Sequence, residues 1–148
     1  MQLYSLLYVS RSLIGADSAD MDSIALKSQT NNAIRGITGM LYYDNAAFLQ
    51  VLEGVETDVR ALFDKIAADT RHDSVRMLGF QPVSARSFGG WSMGLYDGRS
   101  EGGLLQQRFG PDLLSSARGI DVPEVMRFLR DLSLGREDVY ALPSAKAG

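Results

Sequence analysis

Short segments in which apolar and polar residues alternate predict the strands of this protein. Leu3 to Ser10 places Tyr4, Leu6 and Tyr8 on one face through the two-residue period of a strand. Asp44–Asn45–Ala46 is a turn sequence, so the segments on either side of it form a predicted hairpin. The other predicted strands are Ile37–Tyr43, Ala47–Glu53, Val75–Val83 and Trp91–Tyr96.

Two segments between these strands have helical spacing. Asp17 or Ser18 can cap a helix that runs to about Asn31. Thr57 can cap a second helix, whose buried stripe comprises Val59, Leu62, Phe63 and Ile66. The order β-α-β-β-α-β with one extra strand predicts an α+β fold, with a ferredoxin-like sheet and both helices on one face.

The composition changes after Tyr96. The sequence DGRSEGG predicts a linker, and Pro111 to Ala117 predicts a short helix. Asp121 can cap a last helix with Pro123 in its first turn. The apolar stripe of that helix comprises Val125, Phe128, Leu129 and Leu132. We therefore expect one domain at residues 1–97, followed by a linker and C-terminal helical extension at residues 98–148.

Composition and charge narrow the possible functions. The chain of 148 residues has no cysteine, which excludes cysteinyl–flavin adducts, cysteine-ligated metals and thiol nucleophiles. A net charge of -3 argues against nucleic-acid binding. The sequence shows neither a membrane-spanning apolar run nor a signal-peptide pattern, so we expect a cytoplasmic protein.

A polar residue interrupts the apolar face of the third predicted strand. Phe48, Gln50 and Leu52 share one face, and Tyr8 is placed similarly on the first strand. A buried amide without partners costs about 1–3 kcal/mol, so Gln50 should be hydrogen-bonded. An ordinary core hydrogen bond between Tyr8 and Gln50 would satisfy this pattern without any further function.

Two asparagines extend the polar pattern to the first predicted helix. Ile24, Ser28, Asn31 and Asn32 share one face over about 12 Å, roughly the length of a flat tricyclic ring. A carboxamide both donates and accepts, which suits an imide edge. The alternative is that the asparagines simply end the helix before Gly36.

Basic residues near the end of the second predicted helix can bind a phosphate or a ribityl chain. These are Lys65, Arg71 and His72. The helix dipole alone would also favour cations there. His72 is the only histidine, so a site with several histidine ligands is impossible.

Trp91 and Met93 share a face of the fifth predicted strand, because they are two residues apart. This spacing would place both near the polar pair. Both side chains also pack readily in an ordinary core.

Several sequence runs together resemble one known family. LYSLLYVS, NNAIRGITGMLYYDNAAFLQVLEG and RHDSVRMLGFQPVSARSFGGWSM are similar to the BLUF domain, a sensor of blue light using FAD. The resemblance covers about residues 1 to 97. It implies a non-covalently bound FAD, with FMN or riboflavin as possible substitutes, and a photoactive pair formed by Tyr8 and Gln50.

The resemblance also implies roles for the other candidate residues. Trp91 and Met93 match a motif whose environment changes on illumination. Light is expected to rearrange the hydrogen bonds of Tyr8 and Gln50 without covalent bond formation. The expected flavin-binding residues are Tyr8, Ile24, Ser28, Asn31, Asn32, Phe48, Gln50, Lys65, Ile66, Arg71 and His72.

A photoreceptor of this kind is expected to signal rather than to catalyse. The chain leaves no room for a fused effector, so we expect a downstream signalling protein in trans. Similarity to short stand-alone BLUF proteins also predicts a homo-oligomer. The alternatives are a flavin-dependent redox enzyme and a ligand-free ferredoxin-like interaction module.

Overall fold

The computed structural model describes residues 2–14, 35–110, 112–115, 120–134 and 139–140. The first predicted helix, which was to end near Asn31, lies outside these residues. The strands are β1 (Leu3–Ser12), β2 (Thr38–Tyr43), β3 (Ala47–Val55), β4 (His72–Val83), β5 (Gly94–Asp97) and β6 (Val139–Tyr140). The helices are α1 (Glu56–Ala67), α2 (Leu104–Phe109), α3 (Asp112–Ser115) and α4 (Val122–Ser133).

The six strands form one sheet in the order β4-β1-β3-β2-β5-β6. The pairs β4–β1, β1–β3 and β3–β2 are antiparallel, whereas β5 runs parallel to β2. This order confirms the predicted ferredoxin-like sheet and its extra strand. The sequence did not predict the short strand β6, which pairs with β5.

Side chains alternate between the two faces of the sheet, and each face has its own apolar cluster. One face, here called the α1 face, is covered by α1. Its buried residues include Leu6, Tyr8, Leu41, Phe48, Leu52 and Met93. The opposite face, here called the α4 face, is covered by the C-terminal helices. Its buried residues include Leu7, Val9, Tyr42, Leu49, Val51 and Tyr96.

The helix α1 begins two residues earlier than predicted. Val55 occupies its N-cap position and provides no side-chain cap, so the predicted cap at Thr57 is wrong. Glu56 and Asp58 lie in the first turn, where their charges favour the helix dipole. The predicted apolar stripe is confirmed, with all four residues packed in the α1-face cluster.

The helix α4 agrees closely with its predicted pattern. The Asp121 carboxylate accepts a hydrogen bond from the Glu124 backbone N–H at 3.3 Å, and Pro123 lies in the first turn. The predicted stripe is buried and belongs to the α4-face cluster. The C-terminal extension therefore completes the core of the sheet.

The fifth strand is shorter than predicted. Trp91 forms a single bridge, and regular pairing with β2 starts only where Gly94 faces Met40. Residues 91–93 therefore do not follow the two-residue alternation of a strand, and the prediction that Trp91 and Met93 share a face is wrong. Met93 belongs to the α1-face cluster, whereas Trp91 packs against the α4-face cluster.

Candidate functional site

A tyrosine and a glutamine meet at the centre of the α1 face. Strands β1 and β3 pair with Tyr8 opposite Gln50, and the Tyr8 hydroxyl donates to Gln50 Oε1 at 2.5 Å. Tyr8 is 3% exposed and Gln50 is 4% exposed. Burial raises the pKa of Tyr8 far above its usual value, and the nearby charge of Asp69 adds to this effect. Tyr8 is therefore a neutral phenol that donates its proton to the amide.

The glutamine amide has a second neighbour on the same face. Gln50 Nε2 lies 3.3 Å from Met93 Sδ, and Met93 is fully buried. A thioether sulfur is a weak hydrogen-bond acceptor. The residues thus form a chain of phenol, carboxamide and thioether within an apolar cluster. A carbonyl oxygen would be a stronger partner for this amide N–H than the sulfur is.

Apolar groups surround this chain. The Phe63 ring on α1 lies 5.6 Å from the Tyr8 ring. Phe48 is buried beside Gln50 on β3, and Ile66 on α1 packs against the same cluster. Because water has little access here, the hydrogen bonds of the amide depend strongly on the groups placed beside it.

His72 is buried, and both of its ring nitrogens have partners within the protein, so its role at a phosphate or sugar stays a prediction. Its Nδ1 lies 2.7 Å from the Ser10 hydroxyl, and its Nε2 lies 2.5 Å from the Ile66 carbonyl oxygen. Since a carbonyl oxygen only accepts, Nε2 carries a proton and donates it to Ile66. Both ring nitrogens are therefore used in joining β1, α1 and β4. The imidazole ring of His72 also lies nearly perpendicular to the rings of Tyr8 and Phe48, at centroid distances of 6.4 Å and 5.9 Å.

Arg71 lies in the turn between α1 and β4 rather than in a helix. Its guanidinium forms a bidentate pair with Asp69, and this hydrogen-bonded cation lowers the pKa of Asp69 to about 2. The predicted alternative for Arg71, attraction by a helix dipole, fails because α1 ends at Ala67. Lys65 lies in the last turn of α1 and is exposed. Both cations are accessible to a charged ligand group.

Trp91 lies behind the sheet, away from the phenol–amide chain. A Cβ added to Gly94 would lie 2.5 Å from the Trp91 ring and 2.8 Å from Met40 Sδ. The indole therefore rests on the bare backbone of Gly94. The four remaining candidates lie outside the described residues: Ile24, Ser28, Asn31 and Asn32.

Among the buried polar residues that were not candidates from the sequence, Ser10 and Glu53 stand out by their hydrogen bonds. Ser10 bonds His72, and the Glu53 carboxylate accepts three hydrogen bonds while only 1% exposed. Each is a polar residue within an apolar strand, which is the same signal that identified Gln50. The signal was therefore present, although it gave no partner for either residue.

A cleft of about 380 Å³ lies on the α4 face, between α4 and strands β1 and β4. Its lining includes Glu53, Gly79, Ser87, Val122 and Arg130, and the sheet separates it from the Tyr8–Gln50 pair. Within the described part of the chain, no cluster of three potential metal ligands occurs. No helix among the described residues has the length and apolar character to cross a membrane.

Comparisons with known proteins agree with this geometry. Residues 3–94 match the BLUF family, described as sensors of blue light using FAD. The dark-state structure of BlrB, a BLUF protein, is 33% identical, with a TM-score of 0.69 over 88% of this chain and 93% of that chain. The ground state of BlsA is 26% identical, with a TM-score of 0.73 over 90% of this chain and 89% of that chain.

Longer proteins contain a similar unit. Klebsiella pneumoniae BlrP1, solved with FMN and cyclic diGMP, is 31% identical, with a TM-score of 0.63 over 88% of this chain and 34% of that chain. Photoactivated adenylate cyclase subunit alpha of Euglena gracilis is 39% identical over 75 residues, or 51% of this chain. The chain spans 7% of the length of that curated relative.

Proposed function

The chain belongs to the BLUF family of blue-light sensors that use FAD, and we propose that light acts on it by rearranging the hydrogen bonds of Tyr8 and Gln50. The family match confirms the resemblance and the cofactor that the sequence predicted. The observation that carries the proposal is the buried chain from the Tyr8 hydroxyl through the Gln50 amide to Met93 Sδ.

The hydrogen-bonding groups around the Gln50 amide fit a flavin. Gln50 Nε2 donates only weakly to the Met93 sulfur, so a flavin carbonyl beside it would supply a better acceptor. We propose that Phe48 and Ile66 provide apolar contacts for a ring that lies between α1 and the predicted helix bearing Ile24. Lys65 and Arg71 are proposed to meet charged groups of the cofactor. The predicted contacts from Ile24, Ser28, Asn31 and Asn32 belong to this proposal as well.

The predicted flavin contact from His72 is part of this proposal too. Because its ring nitrogens bond Ser10 and the Ile66 carbonyl, we propose that His72 also holds Ile66 and Ser10 in place beside the photoactive pair. Because the isoalloxazine ring is common to FAD, FMN and riboflavin, the pair would serve any of these flavins.

The bound flavin supplies absorption of blue light and a short-lived oxidant strong enough to take an electron from a phenol. Tyr8 loses that electron and passes its hydroxyl proton to Gln50 Oε1, the atom to which it already donates. When the electron returns, one proton also returns from the Gln50 amide to the Tyr8 oxygen, so that Tyr8 is a neutral phenol again. The Gln50 amide is left rotated or tautomerised, so its donor and acceptor atoms have different partners.

This route requires no covalent bond to the protein, which suits a chain without cysteine. It also requires Tyr8 to hold its proton before illumination. Burial ensures this, because it raises the pKa of the phenol far above neutral pH.

We further propose that residues 1–97 sense light and that residues 98–148 carry the response. The segment 91–93 reaches both faces of the sheet, with Met93 beside Gln50 and Trp91 beside the α4-face cluster. A rearranged amide can therefore bias the packing of the C-terminal helices.

The response is proposed to reach a downstream signalling protein in trans. The similar unit makes up most of BlrB but only a third of BlrP1, so it occurs in chains of different organisation. A homo-oligomeric assembly, a cytoplasmic location and a function without catalysis remain predictions of the same proposal.

An absorption spectrum of the flavin-loaded protein before and after blue light tests the photochemistry. A small, reversible red shift of the oxidised flavin band is expected for the natural chain. The shift should be absent from Tyr8→Phe, which lacks the transferable proton, and from Gln50→Ala, which lacks the amide. Tyr4→Phe is the matched control, since Tyr4 lies on the same strand and stacks on Phe80 instead.

Other outcomes would support the alternative functions. Lasting bleaching to reduced flavin, or turnover with NAD(P)H, would indicate a redox enzyme. A chain that stays colourless when flavin is supplied would indicate a ligand-free interaction module.

A further inference from the structure

The proposed photochemistry makes no use of Glu53, although it is a buried carboxylate close to the photoactive pair. Glu53 lies on β3, three residues after Gln50. This odd spacing places the two side chains on opposite faces of the sheet. A buried carboxylate is tolerated only where donors surround it, so the contacts of Glu53 indicate what it holds.

Three donors hold the Glu53 carboxylate. The Thr38 hydroxyl donates to Oε1 at 3.1 Å. The backbone N–H of Ser87 donates to Oε2 at 2.6 Å, and that of Phe88 donates to Oε1 at 2.9 Å. Ser87 and Phe88 belong to residues 84–91, here called the β4–β5 loop. The carboxylate thus fastens this loop to strands β2 and β3.

Arg86 provides a second attachment of the same loop. Its Nη1 donates to the Thr38 hydroxyl oxygen at 2.8 Å and to the Glu53 backbone carbonyl at 3.0 Å. The α4-face cleft borders Glu53 and Ser87, so a loop released from the carboxylate has space to move.

The β4–β5 loop leads directly to the methionine beside the photoactive amide. Within it, the Trp91 N–H donates to the Phe88 carbonyl at 3.1 Å. The Trp91 carbonyl then accepts from the Gly39 N–H at 3.4 Å. A Cβ on Gly39 would lie only 3.2 Å from Met93 Cε, so Met93 fits closely against the backbone of β2. The position of Met93 therefore depends on where the loop is fastened.

We propose that Glu53 is a positioning residue for the photoactive pair: its carboxylate fixes the β4–β5 loop and thereby holds Met93 Sδ beside the Gln50 amide. This inference rests on the proposed function. In the dark arrangement, Gln50 Nε2 faces the sulfur. After rotation of the amide its oxygen faces the sulfur, which can offer it no hydrogen bond. Met93 therefore favours the return of the amide, and a displaced Met93 slows that return.

The substitution Glu53→Gln tests this role while keeping the size of the side chain. It replaces one acceptor oxygen with an NH₂ group, which cannot accept from a backbone N–H. We expect recovery in the dark to become about fivefold slower, the factor that corresponds to one ordinary hydrogen bond. We also expect faster hydrogen exchange at the Ser87 and Phe88 amides and a shifted emission of Trp91, the only tryptophan.

Glu56→Gln is the control, because Glu56 pairs with Arg60 on α1 and lies away from the loop. It should leave recovery, exchange and emission unchanged. The exchange and emission measurements apply equally to the flavin-free chain. If Glu53→Gln does not fold, Arg86→Gln removes the second attachment and should slow recovery in the same direction.

A double-mutant cycle separates this role from a general loss of stability. Met93→Leu keeps an apolar side chain and removes the sulfur. In that background, Glu53→Gln should change the recovery rate by less than about 1.5-fold, since residues that act through one another are not additive. A fivefold slower recovery on adding Glu53→Gln to Met93→Leu, or a normal recovery rate in the Glu53→Gln single variant, would overturn the proposal. Absence of any light-induced shift in the natural chain would instead overturn the proposed function.

Discussion

Tyr8 combines two properties at the scale of a single residue: it is a hydrogen-bond donor and it is buried. The same burial that keeps the phenol neutral makes its ionisation unfavourable in the folded protein. The unfolded chain has no such restriction, and its tyrosines ionise near pH 10. The contribution of the neutral phenol to the free energy of unfolding is therefore fully present below about pH 10, and it is lost as the pH rises further.

Alkaline pH should consequently unfold this protein, and Tyr8→Phe should reduce the effect. Each buried phenol that stays protonated can steepen the loss of stability by up to about 1.4 kcal/mol per pH unit. Urea unfolding between pH 9 and pH 11 measures the slope. The pKa of Tyr42 is also raised by burial and by its hydrogen bond to Asp44, so Tyr42→Phe should act in the same direction. An equal slope in all three proteins would contradict this explanation.

The sequence predicted single residues well where one strand face decided their position. Gln50 and Tyr8 interrupt an apolar alternation, and the register of β1 with β3 brings them together. The partners of His72 could not be predicted, because no sequence pattern showed that Ser10 and the Ile66 carbonyl would occupy both of its ring nitrogens. His72 and these two partners lie on three different elements, and only the folded chain brings them into contact.

At the scale of elements, the helix α4 was predictable because capping and packing signals agree. Asp121, Pro123 and the apolar stripe all indicate the same helix. The strand β5 was less predictable, since residues 91–93, which precede it, are shaped by the Glu53-bound loop and by the bare backbone of Gly94. Its alternation fails where tertiary contacts override the strand pattern.

The stripe of α4 should contribute strongly to stability. Leu129 is fully buried in the α4-face cluster, so Leu129→Ala should lower the free energy of unfolding by about 2–5 kcal/mol. Leu134→Ala makes the same chemical change just beyond the helix, where the side chain is 66% exposed, and should cost less than about 0.5 kcal/mol. Urea unfolding of the two variants provides the comparison. Similar costs would show that α4 does not depend on this contact.

At the scale of the whole molecule, the sheet separates the pair proposed to respond to light from the helices proposed to carry the response. Signal transfer must therefore cross from the α1 face to the α4 face. Residues 91–93 provide a connection, because Met93 contacts Gln50 while Trp91 packs against the α4-face cluster, to which the C-terminal helices contribute. A rearranged amide can shift this packing only by the difference in its interaction energy between two arrangements, typically about 1–3 kcal/mol.

Hydrogen exchange should therefore detect light at α4 through this connection. A shift of about 1.4 kcal/mol changes an opening equilibrium tenfold, so α4 amides that exchange through local opening should exchange several times faster under blue light. Amides of β1 and β3, whose ladder flanks the photoactive pair, should change little. Tyr8→Phe supplies the control, because illumination without the rearrangement should leave α4 unchanged. Identical exchange of α4 in light and darkness in the natural chain would mean that the response leaves the sheet by another route. Trp91 packs against the α4-face cluster, which contains the apolar stripe of α4, so a change of packing there must alter the opening of α4.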